Sequence, residues 1–144
     1  MTTARAFITA AVFLWLGMVL AISFIEAPLK FRAPNVTLAI GLGIGRLVFR
    51  ALNGVESLLA ILVLAAVWAD PPGVATTGAL AVAIGALVLQ LVFVRPRLTR
   101  RSDAVLAGHE GPRSRSHYAY VALEAVKAIA LLSAGVFVLN SAMG

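Results

Sequence analysis

Four polar side chains, His117, Tyr120, Glu124 and Lys127, are spaced i, i+3, i+7 and i+10 in a segment that is otherwise largely aliphatic. On a helix at about 100° per residue they fall within roughly 80° of one another and form one polar stripe. A second stripe, Arg46, Arg50 and Asn53 at i, i+4 and i+7 with Glu56 at its edge, opens another apolar run. Such groups can bind an anion, exchange a proton or pair with each other. Inside a bilayer they are costly. Glu124 and Lys127 together amount to on the order of 6 kcal/mol in a spanning helix, so both must face protein or water. Glu26 and Gln90 add polar groups near the ends of two further apolar runs.

No catalytic set assembles from spacing. Ser23, Ser57 and Ser133 have no paired base, so the reading leans away from an enzyme and no catalytic residue is assigned. His109, Glu110 and His117, with Asp103, match no established ligand spacing, so no metal site is assigned and the cofactor is unknown. The run Gly41-Leu42-Gly43-Ile44-Gly45 lacks the spacing of a dinucleotide loop, and no strand precedes it. Gly41 and Gly45 read instead as a small-x-x-x-small pair for close helix packing. Trp15 and Trp68 read as packing residues or interfacial anchors.

The elements that must position these groups follow from composition. The chain has 144 residues, 61% hydrophobic and 12% charged, with a mean hydropathy of +0.98. These values are far from soluble averages, and the length allows one domain. With no cysteine, disulfide and thiolate chemistry are excluded. The net charge of +6 comes from cations clustered in two connectors between apolar runs, a pattern of membrane topology rather than of nucleic-acid binding.

The expected fold is therefore all-α integral membrane, a four-transmembrane-helix bundle within a single domain over residues 1–144. Its spans lie at about 5–27, 50–69, 75–94 and 117–140, each near the roughly 20 residues that cross a ~30 Å hydrocarbon core. The first apolar run is too long for a signal-peptide core and is read as a retained helix. Pro28 is expected to end span one, and Asn35 or Thr37 to cap the helix that follows. An uninterrupted helix over 36–69 would extend about 50 Å, so a short interfacial or re-entrant helix is expected over about 36–49, before span two. Residues 70–73 read as a turn and 95–116 as a basic cytoplasmic loop.

Four Lys and Arg residues lie between spans one and two, six between spans three and four, and none between spans two and three. The positive-inside rule then places both basic connectors in the cytoplasm and both termini outside it, in an inner (cell) membrane, with Arg5 the one objection. In that topology the polar groups share the cytoplasmic half of the bilayer.

The stretch Ile22-Ser23-Phe24-Ile25-Glu26-Ala27-Pro28-Leu29-Lys30-Phe31, the glycine-rich run up to Arg46, Glu56, Pro96 after span three and His117 at the start of span four resemble a class of small bacterial four-span membrane proteins of unknown function. That class is similar to the human transmembrane protein 205 family. The resemblance implies a fold more than an activity. A more distant similarity, to copper-resistance membrane domains, lacks the methionine and histidine clusters expected there.

Two functional readings follow. In the first, Glu26, Arg46, Arg50, Asn53, Glu56, Gln90, His117, Tyr120, Glu124 and Lys127 form a cytoplasmic-side cavity for transporter-like or channel-like handling of a small or anionic solute. In the second, Glu56 or Glu124 pairs with Arg46, Arg50 or Lys127 in a non-catalytic structural or accessory subunit that binds another membrane protein or anionic lipid. A membrane-embedded enzyme acting on lipid or quinone is the weakest alternative. The expected partners are the bilayer, with anionic lipid at the basic loops at roughly 1 kcal/mol per cation, and a homo-oligomeric or other membrane-protein partner.

Overall fold

Thr37 and Thr2 each begin a helix for the same reason: the side-chain oxygen accepts a hydrogen bond from a backbone N–H that has no intrahelical partner. Thr37 accepts from Ile40 and Thr2 from Arg5, each at 3.2 Å. Asn35 does not cap; it takes a left-handed backbone conformation, with φ 67°, in the connector before Thr37. The computed structural model describes residues 1–108 and 115–143. Within them the chain is helical without strands, and the four helices labelled here α1 (Thr3–Arg32), α2 (Leu38–Ala69), α3 (Val74–Leu106) and α4 (Arg115–Met143) form an all-α bundle. Each is long and apolar enough to cross a membrane, and the protein is a small multi-pass membrane protein.

Three boundaries differ from the sequence-based expectation. Pro28 does not end α1, and Pro96 lies inside α3, because each proline is preceded by a π-helical segment, Leu20–Glu26 and Gln90–Val94. The residue before each proline donates its N–H five residues back, Ala27 to Ile22 and Arg95 to Gln90. The wider turn accommodates a ring that would otherwise collide with the carbonyl four residues earlier. Consequently Arg95–Leu106, expected to be part of a loop, is a helical extension of α3. Of the remainder of that basic segment, residues 109–114, with His109, Glu110 and Arg113, lie outside the described residues. Finally, no break separates an interfacial helix over 36–49 from span two, since Leu38–Ala69 is one helix.

At 1.5 Å per residue, α1, α2 and α3 are each about 45–50 Å long, well beyond a ~30 Å core. At one end the bundle closes on the short turn between α2 and α3, where Asp70 accepts from Thr2 Oγ1 (2.5 Å) and pairs with Arg5 (3.4 Å). The excess length therefore projects at the opposite end, which carries Lys30, Arg32, Arg46, Arg50, Arg95, Arg97, Arg100 and Arg101.

The apolar core lies between these ends. Ile8, Val12, Trp15 and Val19 of α1 meet Leu59 and Val63 of α2, Leu80, Ala83 and Leu87 of α3, and Leu131 and Ala134 of α4. Lipid tails are as apolar as these side chains, so close packing rather than water exclusion must hold the helices together, and small residues permit it. α3 and α4 pack most intimately, with Ala83, Ala86, Ala130 and Ala134 buried. α2 lies chiefly against α1 and meets α3 mainly through the extension Arg95–Leu106. Leu14, Ile61, Ile129 and Leu132 face outward, as lipid-contacting side chains should.

Candidate functional site

Lys127 sits in the middle of the bundle with no solvent exposure, and its ammonium has three hydrogens to place. Three acceptors receive them: Glu56 Oε2 and Glu124 Oε1, each at 2.5 Å, and Gln90 Oε1 at 2.8 Å. The helical period brings Glu124 to Lys127 within α4, whereas Glu56 and Gln90 arrive from α2 and α3. Gln90 completes the ring by donating Nε2–H to Glu124 Oε1 at 2.6 Å and to the Tyr120 carbonyl at 3.4 Å. Gln90 lies at the start of the π-helical segment of α3.

α1 supplies two further donors. Trp15 Nε1–H donates to Glu56 Oε2 at 2.7 Å, and Ser23 Oγ–H donates to Glu124 Oε2. All four helices thus meet at one network of two carboxyls, one ammonium and one amide. Glu56 Oε1 is buried and has no hydrogen-bond partner among the described residues. A buried ion cluster of this kind is costly to assemble and far costlier to leave half-paired.

Above the network, toward the basic end, lies a cavity of about 1020 Å³. Its floor includes Glu124, Ser23 and Tyr120; its walls carry Lys30, Arg46, Arg50, Arg95, Arg101 and His117 among Phe24, Phe31, Phe49 and several leucines. Tyr120 is fixed by donating its hydroxyl to Asn53 Oδ1 (3.2 Å) and by edge-on contact with Phe49, with ring centres 5.6 Å apart. Lys30 lies over the rings of Phe31 and Phe49, at 5.5 and 5.7 Å, and 4.0 Å from Glu26.

The structure therefore divides the residues proposed from the sequence. Arg46, Arg50, His117, Tyr120 and Glu124 line the cavity. Asn53, Glu56, Gln90 and Lys127 lie behind its wall as buried partners. Glu26 does neither; its described partner is Lys30. Arg46 pairs with Asp103 of the α3 extension at 2.7 Å rather than with a glutamate, and Arg50 is exposed, so Lys127 alone of the three candidate cations holds Glu56 and Glu124. Asp103, considered above as a metal ligand, is thereby engaged, and among the described residues no group of three His, Asp or Glu side chains converges.

Gly41 and Gly45 also act differently from the expected helix-to-helix contact. A Cβ on Gly41 would fall 2.1 Å from the Phe31 ring, and one on Gly45 would fall 3.0 Å from Lys30 Nζ. The glycines leave room for side chains from the last turn of α1, which form part of the cavity wall.

Sequence reasoning missed Trp15 and Ser23 in the network, and Lys30, Arg95 and Arg101 in the cavity wall, which it places in connectors. Ser23 belongs to a stretch already singled out, but a lone serine carries no periodic signal. Trp15 occupies the apolar stripe of Ile8, Val12 and Val19, where a tryptophan reads as core. Trp68, by contrast, is 90% exposed near the end of α2, as suits an interfacial side chain. Comparison with family models, curated proteins and solved structures finds no match to this chain.

Proposed function

We propose that the protein is a transporter-like membrane protein that receives a small anionic solute in the cavity at its basic end. The observation that carries this reading is the make-up of that cavity: five Lys and Arg side chains on its walls, with its one carboxylate, Glu124, already engaged by Lys127, Gln90 and Ser23. Guanidinium groups bind phosphate and carboxylate through paired N–H donors, and the partly desolvated setting strengthens each contact. The network closes the inner end of the cavity, and beyond it lies the apolar core of Trp15, Val63, Leu87 and Leu131. Passage of a solute would require the Glu56–Lys127–Glu124 contacts to open.

Glycerol phosphate is a suitable probe. Arg46→Gln/Arg50→Gln is expected to weaken its binding to the detergent-solubilised protein at least tenfold, with little change in melting temperature because both side chains lie at the water-facing end. Absence of anion binding in the parent protein, or equal affinity in the variant, would sink the reading.

Charge placement supports an orientation with the basic end in the cytoplasm of a cell whose inner membrane holds the protein. Arg5, the one Lys or Arg side chain at the other end, is offset by Asp70. Single cysteines in this cysteine-free chain give the check: a membrane-impermeant thiol reagent applied from outside should label Met143→Cys and spare Ser102→Cys. The reverse pattern would invert the topology.

A second reading has its own support. The complete burial of Glu56 and Lys127 is what a structural staple requires, and on that account the protein is an accessory subunit whose network only holds four helices together.

A further inference from the structure

The walls of the cavity are more than basic. Leu47, on its rim, is 73% exposed and lies on the same helical row as Leu58 and Ile61, the outward face of α2. Phe24 similarly continues the exposed row of α1 that contains Phe13 and Leu20. Two outward-facing apolar rows therefore reach the rim of the cavity, with Arg50 beside the row of α2 as a charged group at the opening. Its volume, about 1020 Å³, is also far larger than an inorganic anion needs; at ~30 Å³ per water it would hold roughly 30 waters. Pockets of this size that combine aromatic and aliphatic walls with a few charged groups suit ligands with a substantial apolar part.

From these features we infer that the anion is the headgroup of a membrane lipid, bound in the cavity with its acyl chain leaving past Phe24 and Leu47 into the bilayer. This rests on the anion-binding reading above and names the ligand's class as a phosphate-bearing, net anionic lipid. Arg50, which makes no ion pair or hydrogen bond among the described residues, and Arg46, held on the rim by Asp103, are placed to take the phosphate. The end of the bundle carrying Lys30, Arg32 and the α3 extension is where headgroups lie if the apolar core spans the hydrocarbon. Arg97 and Arg100 do not line the cavity and serve as a surface-charge control.

The test is native mass spectrometry of the full chain in neutral detergent, titrated with phosphatidylglycerol, phosphatidylcholine and glycerol phosphate. One phosphatidylglycerol per chain is expected, bound at least tenfold more tightly than either comparator. Arg46→Gln/Arg50→Gln should weaken it at least tenfold, Arg97→Gln/Arg100→Gln less than threefold. Leu47→Gln should weaken the lipid severalfold, and by a larger factor than it weakens glycerol phosphate. If glycerol phosphate binds as tightly as phosphatidylglycerol, the anion site stands and the lipid inference falls. Equal losses from the two arginine pairs would mean diffuse attraction to the surface and would also overturn it. If neither anionic probe binds, both the inference and the reading beneath it fail.

Discussion

Lys127→Met is expected to cost the bundle about 3–5 kcal/mol, the usual consequence of removing one member of a buried ion pair. The side chain it removes is fully buried and satisfies two carboxyls and an amide at 2.5–2.8 Å. Methionine matches its length but leaves Glu56 and Glu124 without an ammonium, with only Trp15, Gln90 and Ser23 to donate. The corresponding glutamate variants are expected to be much milder. Glu56→Gln or Glu124→Gln still leaves one carboxyl for the one ammonium, and the new amide oxygen can keep accepting, so each should lose about 1 kcal/mol, the scale of one hydrogen bond.

This asymmetry follows from counting groups, and it also dictates how rescue should behave. The i, i+3 pair suggests that Glu124→Gln/Lys127→Met would restore stability, but Glu56 on α2 would still be buried without its cation. Recovery should be only partial in that double variant and nearly complete in Glu56→Gln/Glu124→Gln/Lys127→Met, because the three sites share one network and their effects do not add. Thermal melting in detergent reads this directly. A wild-type melting temperature for Lys127→Met, or full recovery in the double variant, would show that water reaches the network and solvates what is left. If the triple variant recovers stability and still binds anionic probes, the network is a staple; loss of binding at recovered stability would tie it to the cavity.

Trp15→Ala should be nearly as damaging, at about 3–5 kcal/mol, since it empties a fully buried site at the centre of the core. Trp15→Phe separates packing from hydrogen bonding. Most of the ring volume stays, but the indole N–H that donates to Glu56 Oε2 is lost, and the other carboxyl oxygen already lacks a partner among the described residues. A hydrogen bond to a charged group contributes about 1.5–3 kcal/mol, so Trp15→Phe should fall clearly short of the alanine variant yet well below the parent protein. Fluorescence adds an independent check, because the chain has two tryptophans and Trp68 is 90% exposed. Trp15→Phe should remove the component shielded from an aqueous quencher. If Trp15→Phe melts like the parent protein, Trp15 serves as core packing alone.

Much of this site was legible before any coordinates because helical periodicity is local. His117, Tyr120, Glu124 and Lys127 share a stripe in any α-helix, and hydropathy alone places Glu56 and Gln90 in the same half of the bilayer as that stripe. The four-helix architecture follows equally directly, since each apolar run must satisfy its own backbone within one helix. What no local rule supplies is the rotation of each helix about its axis and the choice of neighbour. Those are set by how Ala83, Ala86, Ala130 and Ala134 let α3 and α4 approach, and by how α1 seats Trp15 against α2.

Tertiary structure alone therefore decided that Glu56 meets Lys127, that Arg46 turns away to Asp103, and that Trp15 and Ser23 complete the network. It also decided what the prolines do. Pro28 and Pro96 remove a donor in any context, but whether the helix stops depends on whether the preceding turn can widen. Here the π-helical segments Leu20–Glu26 and Gln90–Val94 allow both helices to continue. The turns they carry onward, with Lys30 and Phe31 from α1 and Arg95 and Arg101 from α3, become cavity walls where the sequence alone indicated connectors.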